Sequence, residues 1–117
     1  MLAYKYRFHG HGSLRYVYNN GQTIRSHLMT IKYTHNKRRK NPRFSVVVSK
    51  KVFKSAVGRN RIRRRVYEAL YQTRAIDIKP HDVVVIITSQ DVKSIEFDEL
   101  KNIFDNFIST IEKPNTN

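Results

Sequence analysis

The sequence predicts one small α+β domain in which the chain forms a helix, two strands, a helix, a strand and a helix, in that order. Three observations support this fold class. A chain of 117 residues is long enough for one hydrophobic core but not for two. Its 39% hydrophobic and 27% charged residues are typical of a globular protein. The spacing of its apolar residues changes between helical and alternating along the chain, and no repeat interrupts it. We therefore treat residues 1–117 as one domain.

The first half of the chain predicts one helix and two strands. Residues 13–19 have apolar side chains at helical spacing, and Ser13 is placed to cap the helix N-terminus. Residues 23–34 and residues 43–49 alternate as strands. The polar and basic segment between them, residues 35–42, ends in a proline and predicts a turn. We therefore expect the two strands to pair as a hairpin.

The second half predicts two helices around a buried strand. Residues 56–73 place apolar side chains along one stripe and arginines over most of the remaining surface. Residues 83–87 are all apolar, which is typical of a strand that is buried on both faces. Residues 95–112 have a broad apolar face that predicts packing on the core. The tail, residues 113–117, is expected to be frayed.

Charge is distributed very unevenly along the chain. The net charge is +14, and residues 1–67 contain 18 lysines and arginines but no aspartate or glutamate. The first acidic residue is Glu68. A half without acids cannot neutralise itself through internal ion pairs, and such a surface usually binds a polyanion. A solvated basic face is the alternative. A membrane partner is not expected, because no helix combines a basic face with an aromatic one.

Several other functions are disfavoured by what the sequence lacks. It has no cysteine, which excludes disulfides and thiolate chemistry. Its apolar runs are too short for a membrane span, and no secretory signal is visible, so we expect a cytoplasmic protein. His9 and His11 have no third ligand at a fitting spacing, so we expect no metal site. No nucleophile–base–carboxylate set or glycine-rich phosphate loop is present, so a self-sufficient nuclease is not expected.

The strongest candidate site is the segment from Ser49 to Arg65. Arginine guanidinium groups bind phosphate oxygens in a bidentate manner and stack on unpaired bases. Like charges here lie one helical turn apart, whereas a solvated helix face normally mixes charges of both signs. The residues predicted to bind RNA are Lys50, Lys51, Lys54, Arg59, Asn60, Arg61, Arg63, Arg64 and Arg65.

The same segment resembles the bacterial ribonuclease P protein family. The residues that carry the resemblance are Ser49-Lys50-Lys51 at a strand end and Arg59-Asn60-Arg61-Ile62-Arg63-Arg64 on the following helix. Arg7-Phe8, the helix end at residues 16–21 and the strand at residues 82–87 extend it over nearly the whole chain. Arg-Asn-Arg alone would be a weak signal, but four segments in this order are a specific one.

The resemblance implies a fold and a division of labour. The helix at residues 56–73 would join two parallel strands of a mixed sheet through a left-handed crossover. The arginine helix would bind the catalytic ribonuclease P RNA, and a cleft between the first helix and the sheet would bind the 5′ leader of precursor tRNA. Mg²⁺-dependent hydrolysis would belong to the RNA, with Mg²⁺ bound mainly by RNA phosphates. The protein would thus be a non-catalytic subunit of an endoribonuclease, with no obligatory protein partner evident.

The residues that we assign to the leader cleft are Leu14, Tyr18, Lys32, Ser45, Val47 and Ser49. Small side chains on the second strand let a nucleotide chain approach, and Tyr18 either stacks a base or packs the helix on the sheet. Family members commonly have aromatic residues where this chain has Leu14 and Lys32, so we expect leader contacts to depend more on charge. The alternative function is a ribosomal-type or other structural RNA-binding protein without a role in cleavage.

Overall fold

The computed structural model, which describes residues 2–8 and 10–112, confirms the α+β class. Three α-helices pack on the two faces of one four-stranded mixed sheet. The elements are α1 (His11–Asn20), β1 (Gln22–Arg25), β2 (Met29–His35), β3 (Arg43–Val48), α2 (Ala56–Gln72), β4 (His81–Ile87) and α3 (Phe97–Glu112). The tail that we expected to be frayed, residues 113–117, lies outside the described residues.

The strand order is β1-β2-β4-β3, and this order corrects the predicted hairpin. The expected partners of the hairpin, β2 and β3, are not neighbours, because β4 lies between them. The physical reason is that β4, which is apolar on both faces, is favoured inside the sheet and there separates β2 from β3. β4 pairs antiparallel with β2 and parallel with β3, so the expected mixed sheet is confirmed.

The predicted strand at residues 23–34 is in fact two strands. The side chain of Ser26 breaks it, because its hydroxyl accepts hydrogen bonds from the backbone N–H groups of Leu28 and Met29, both at 3.3 Å. The N–H of Ser26 also donates to the C=O of Met29 at 2.9 Å. This tight turn reverses the chain, and β1 becomes the antiparallel edge neighbour of β2. Alternation did not place the turn, although the polar run at residues 25–27 interrupts the alternating pattern there.

Helix α2 connects the parallel neighbours β3 and β4, so it is the expected crossover helix. Its left-handedness stays a prediction. The helix begins at Ala56, and Ser55 caps it by accepting a hydrogen bond from the N–H of Gly58 at 3.2 Å. The ring of Phe53 packs directly on Gly58 and occupies the space that a Cβ there would need, so a larger residue would displace that ring.

Helix α1 begins two residues earlier than predicted. Its N-cap is Gly10, with φ of 131°, and not Ser13, which lies inside the helix. Glycine adopts this conformation at little steric cost, whereas a residue with a side chain would be strained. The backbone, not a side-chain cap, therefore sets this helix end.

The main core lies between the sheet and the pair α2 and α3. The predicted apolar face of α3 is confirmed, because Leu100, Phe104 and Phe107 are buried there. A smaller cluster on the other face of the sheet packs Val17 of α1 against Phe8 and Val84. None of the helices in the described ranges is both long and apolar enough to cross a membrane. Helix α1 thus packs on the face of the sheet opposite to α2 and α3 through a much smaller cluster.

Candidate RNA interface

The outward face of α2 presents charged and polar side chains to solvent. Asn60, Arg61 and Arg64 are exposed, whereas Ile62 and Val66 of the same helix are buried in the core. Within the described part of the chain, the guanidinium groups of Arg61 and Arg64 make no hydrogen bond or ion pair. Two unpaired guanidinium groups one turn apart suit binding to neighbouring phosphates of a nucleic acid.

Two of the arginines assigned to the interface are engaged within the protein instead. Arg59 donates from Nη1 to the backbone C=O of Phe53 at 3.0 Å and of Lys54 at 2.8 Å, which holds the loop before α2. Arg65 donates to the C=O of Val92 at 2.7 Å and also to that of Ile95. Both side chains therefore have a structural role that sequence spacing did not reveal, and direct RNA contact by them stays a prediction.

Arg63 lies between these two groups, since it is neither fully exposed nor bound to a backbone carbonyl. It is partly buried on the side of α2 that faces β3, and its Nη1 donates to Oδ1 of Asn60 at 2.9 Å. This hydrogen bond fixes the Asn60 amide and leaves its NH₂ group as a donor. Asn60 and Arg63 are thus a preorganised pair of donors rather than two freely moving side chains.

Three exposed lysines flank the start of α2. Lys50, Lys51 and Lys54 lie in the loop between β3 and α2. The C=O of Ser49 accepts from the N–H groups of Val52 and Phe53, both at 3.1 Å, and the loop is held in a compact turn. The lysine charges add to the positive end of the α2 dipole. This end of the helix therefore has the highest density of predicted RNA-binding groups.

A second candidate surface is the cleft between α1 and the sheet. Leu14 and Val47 pack against the same buried cluster, and Lys32 donates from Nζ to the C=O of Tyr18 at 3.4 Å. Burial raises the pKa of the Tyr18 hydroxyl, which therefore stays protonated and uncharged at neutral pH. Ser45 is 4% exposed and so forms the floor of the cleft rather than a contact surface.

The sixth residue assigned to the cleft, Ser49, lies outside it. It is exposed after the end of β3, and its hydroxyl accepts a hydrogen bond from the N–H of Val52 at 3.3 Å. Its alternation with Ser45 and Val47 predicted the right face, but the strand ends at Val48 and the chain turns away. Ser49 therefore shapes the lysine loop and not the cleft.

The strand register adds residues to the cleft that sequence reasoning missed. Arg25 lies opposite Thr30, Thr30 opposite Ile86, and Ile86 opposite Val47, so these four form one row across the sheet. This row neighbours the one that contains Lys32 and Ser45. Arg25 is exposed at its end and offers a further cation. No sequence signal could place Arg25 there, because the row exists only once β4 is inserted between β2 and β3.

The two candidate surfaces meet at β3. Its side chains face the cleft on one side, and α2 packs on its other side. Within residues 2–8 and 10–112, no group of three or more His, Asp or Glu side chains could hold a metal ion. His9, considered above with His11, lies outside the described residues.

Comparisons with known proteins agree with this arrangement. The profile of the family described as ribonuclease P matches residues 2–112 of the chain. The ribonuclease P protein component of a Synechococcus species is 37% identical over 91 residues, which cover 68% of this chain and 72% of the relative. The protein of the same name from Carboxydothermus hydrogenoformans is 39% identical over 84 residues, 71% of each chain.

Solved structures share the fold. The ribonuclease P protein of Staphylococcus aureus superposes with a TM-score of 0.75 at 25% identity, over 92% of this chain and 95% of that one. The ribonuclease P protein of Thermotoga maritima, at 20% identity, has a TM-score of 0.78 over 92% and 98% of the two chains and supports the fold alone. With the match over residues 2–112 and the two sequence relatives, we conclude that the chain belongs to the ribonuclease P protein component family.

Proposed function

We propose that this chain is the protein subunit of a ribonuclease P that removes the 5′ leader of precursor tRNA. The observation that carries the proposal is the pair of surfaces that meet at β3, namely the exposed donors of α2 and the cleft under α1. The α2 surface would bind the ribonuclease P RNA, and the cleft would bind the single-stranded leader. Membership of the family supports this assignment.

The cleft suits a single strand better than a duplex. Its floor is made of small or apolar groups such as Ser45 and Val47, and cations stand at its margin as Lys32 and Arg25. A single strand needs a cationic track for its phosphates and a flat surface for its bases. Leu14 offers no π-face, so the leader would be bound by charge more than by stacking.

Chemistry is assigned to the RNA partner. The donor set on α2 consists of guanidinium groups and one amide, and guanidinium groups repel Mg²⁺ rather than ligate it. The residues of this surface therefore do not fit a magnesium site, and Mg²⁺ would be held by phosphate oxygens of the RNA. The protein would contribute binding energy and orientation. We expect it to act in the cytoplasm.

Cleavage at limiting Mg²⁺ tests the proposal. A bacterial ribonuclease P RNA should cleave precursor tRNA at a lower Mg²⁺ concentration with the purified protein than without it, because the protein supplies cations that the RNA otherwise takes from solution. The matched control is the Arg61→Ala/Arg64→Ala variant, which should lose most of this effect. If the wild-type protein leaves the Mg²⁺ requirement unchanged while it still binds RNA, the chain is a structural RNA-binding protein and our assignment is wrong.

A further inference from the structure

A cleft of about 1010 Å³ lies beside the free edge of β3, outside the α1 cleft. Its walls include apolar side chains of β3 and α3, such as Val48 and Phe97, and its margin includes Asn60, Arg63 and Arg64. Clefts for small ligands commonly measure roughly 300–1,000 Å³, so this one is large enough for a nucleotide. We call it the β3-edge cleft.

Backbone groups of β3 face this cleft. The C=O of Phe44 accepts a hydrogen bond from the N–H of Phe8 at 3.1 Å, so the N-terminal segment pairs with the start of the strand on its free side. The N–H and C=O of alternate residues in a strand point to the same edge. Val46 and Val48 therefore point their backbone groups to the free side; the backbone of Val46 already hydrogen-bonds the Tyr67 hydroxyl, so Val48 supplies the open N–H and C=O. A planar ligand in the cleft meets both a donor and an acceptor there.

Arg7 supplies an unsatisfied buried donor at the same place. Its guanidinium lies 4.4 Å from the centre of the Tyr67 ring, and both residues line the cleft. Its Nε is buried and has no hydrogen-bond partner within the described residues. Buried donors in native proteins are almost always paired, so this group calls for an acceptor that the protein alone does not provide. A phosphate or carbonyl oxygen of a ligand meets that need.

The charge of the margin selects an anion. Arg63 and Arg64 stand on α2 at the mouth of the cleft, and Asn60 keeps its amide NH₂ for a ligand because Arg63 engages only its Oδ1. One acid, Glu68, also lines the cleft, and the four arginines of the lining, Arg7, Arg63, Arg64 and Arg65, outnumber it. The margin is therefore net cationic.

We propose that the β3-edge cleft binds one unpaired nucleotide of an RNA, with its base along the edge of β3 and its phosphate between Arg7 and Arg63. The proposal rests on the proposed function for its class of ligand and adds a specific site to it. An extended peptide is a poorer occupant. The free edge beyond the N-terminal segment spans only residues 46–48, and the cationic margin gives a neutral peptide no advantage.

Titration of the ¹⁵N-labelled full-length protein with three small probes tests this site. The probes are adenosine 5′-monophosphate, ribose 5-phosphate, which lacks the base, and acetyl-Val-Val-Val-amide, which mimics a strand. We expect the nucleotide to shift the backbone amide of Val48 and the side-chain amide of Asn60, and to bind about tenfold more tightly than ribose 5-phosphate because the edge of β3 pairs with the base. The Arg7→Met variant should bind the nucleotide more weakly, whereas Arg15→Met, an exposed arginine on α1, should not.

Each other outcome overturns the proposal. Equal affinity for the nucleotide and ribose 5-phosphate, with no shift at Val48, would mean that the margin binds phosphate only. Shifts at Val48 with the peptide but not with the nucleotide would make the edge a protein-binding site. Either result leaves the Mg²⁺ experiment unaffected, so failure of this site and failure of the proposed function are distinguishable.

Discussion

The exposed arginines of α2 give the most direct quantitative prediction. Replacing both Arg61 and Arg64 with alanine removes two guanidinium groups that have no partner within the described part of the protein. Their loss should therefore change RNA binding and leave the fold intact. Surface substitutions of this kind usually alter the free energy of unfolding by no more than about 0.5 kcal/mol.

The magnitude follows from counterion release. Each phosphate contact contributes about 0.7–0.9 to the slope of log K against log salt concentration, where K is the RNA-binding constant. Loss of two contacts should therefore reduce the magnitude of this slope by about 1.4–1.8 in the double variant. Between about 50 and about 200 mM salt the wild-type affinity should consequently fall about 7–12 times more than that of the variant. Filter binding or fluorescence anisotropy with a ribonuclease P RNA, measured at several salt concentrations, gives both slopes.

The control is Lys79→Ala, which removes one exposed cation in the turn before β4, outside the residues assigned to the α2 interface. Its slope should equal that of the wild type. If the double variant keeps the wild-type slope, the phosphates contact other residues and α2 is not the RNA interface. If Lys79→Ala lowers the slope as much as one of the arginines, the effect reflects net charge and not the position of the α2 donors.

Three further predictions concern other parts of the molecule. Arg65→Ala should lower the free energy of unfolding by about 1.5–3 kcal/mol, because it leaves the carbonyls of the loop before α3 without a charged donor, and urea titration measures this. Burial lowers the pKa of His81 below its ordinary value, so the folded protein disfavours protonation of this side chain. The free energy of unfolding should therefore fall as the pH drops below about 6.5. His81→Gln should reduce that fall, which melting temperatures measured from about pH 7.5 to about pH 5.5 would show. Lys32→Ala should weaken binding of leader-bearing precursor tRNA roughly fivefold and binding of mature tRNA little, in a competition assay.

Each of these has an outcome that contradicts it. An Arg65→Ala protein with wild-type stability and a reduced salt slope would place that arginine on RNA and not on the loop. Equal acid sensitivity of wild type and His81→Gln would show that other groups set the pH dependence. Equal losses for precursor and mature tRNA in Lys32→Ala would argue against a leader site under α1.

Much of the fold was predictable because its elements have clear periodic patterns. The stripe that contains Ile62 and Val66 predicted both the bounds and the buried face of α2, and the apolar run at residues 83–87 predicted a strand covered on both sides. The pairing of strands was not predictable in the same way. Hairpin reasoning assumes that neighbours in sequence are neighbours in the sheet, and the sequence does not state that the most apolar strand takes the central place.

The candidate site was predictable as a segment but not residue by residue. Spacing placed Arg59 and Arg65 with Arg61 and Arg64, since all four are cations on one helix. The helix directs them differently, and backbone carbonyls from loops distant in sequence engage Arg65. Every residue has a backbone carbonyl, so neither composition nor spacing shows which carbonyls will accept a hydrogen bond from an arginine. A sequence can therefore reveal that a helix is cationic, while only the fold separates binding arginines from structural ones.

The difference between paired and unpaired cations also explains how a chain with so uneven a charge distribution folds. Because the first 67 residues carry no acid, their cations gain ion-pair stabilisation only from acids of the second half, and Asp82 provides it with both oxygens 2.9 Å from the guanidinium of Arg43. Asn36 donates to the same carboxylate, so the pair is held at the start of two adjacent parallel strands. Within the described residues, the cations on α2 and in the loop of Lys50, Lys51 and Lys54 that have no acidic partner still repel one another. Because a bound polyanion relieves that repulsion where the fold gathers these cations on one surface, RNA binding and stability are linked, and the surface that opposes folding of the free protein is the one that favours the complex.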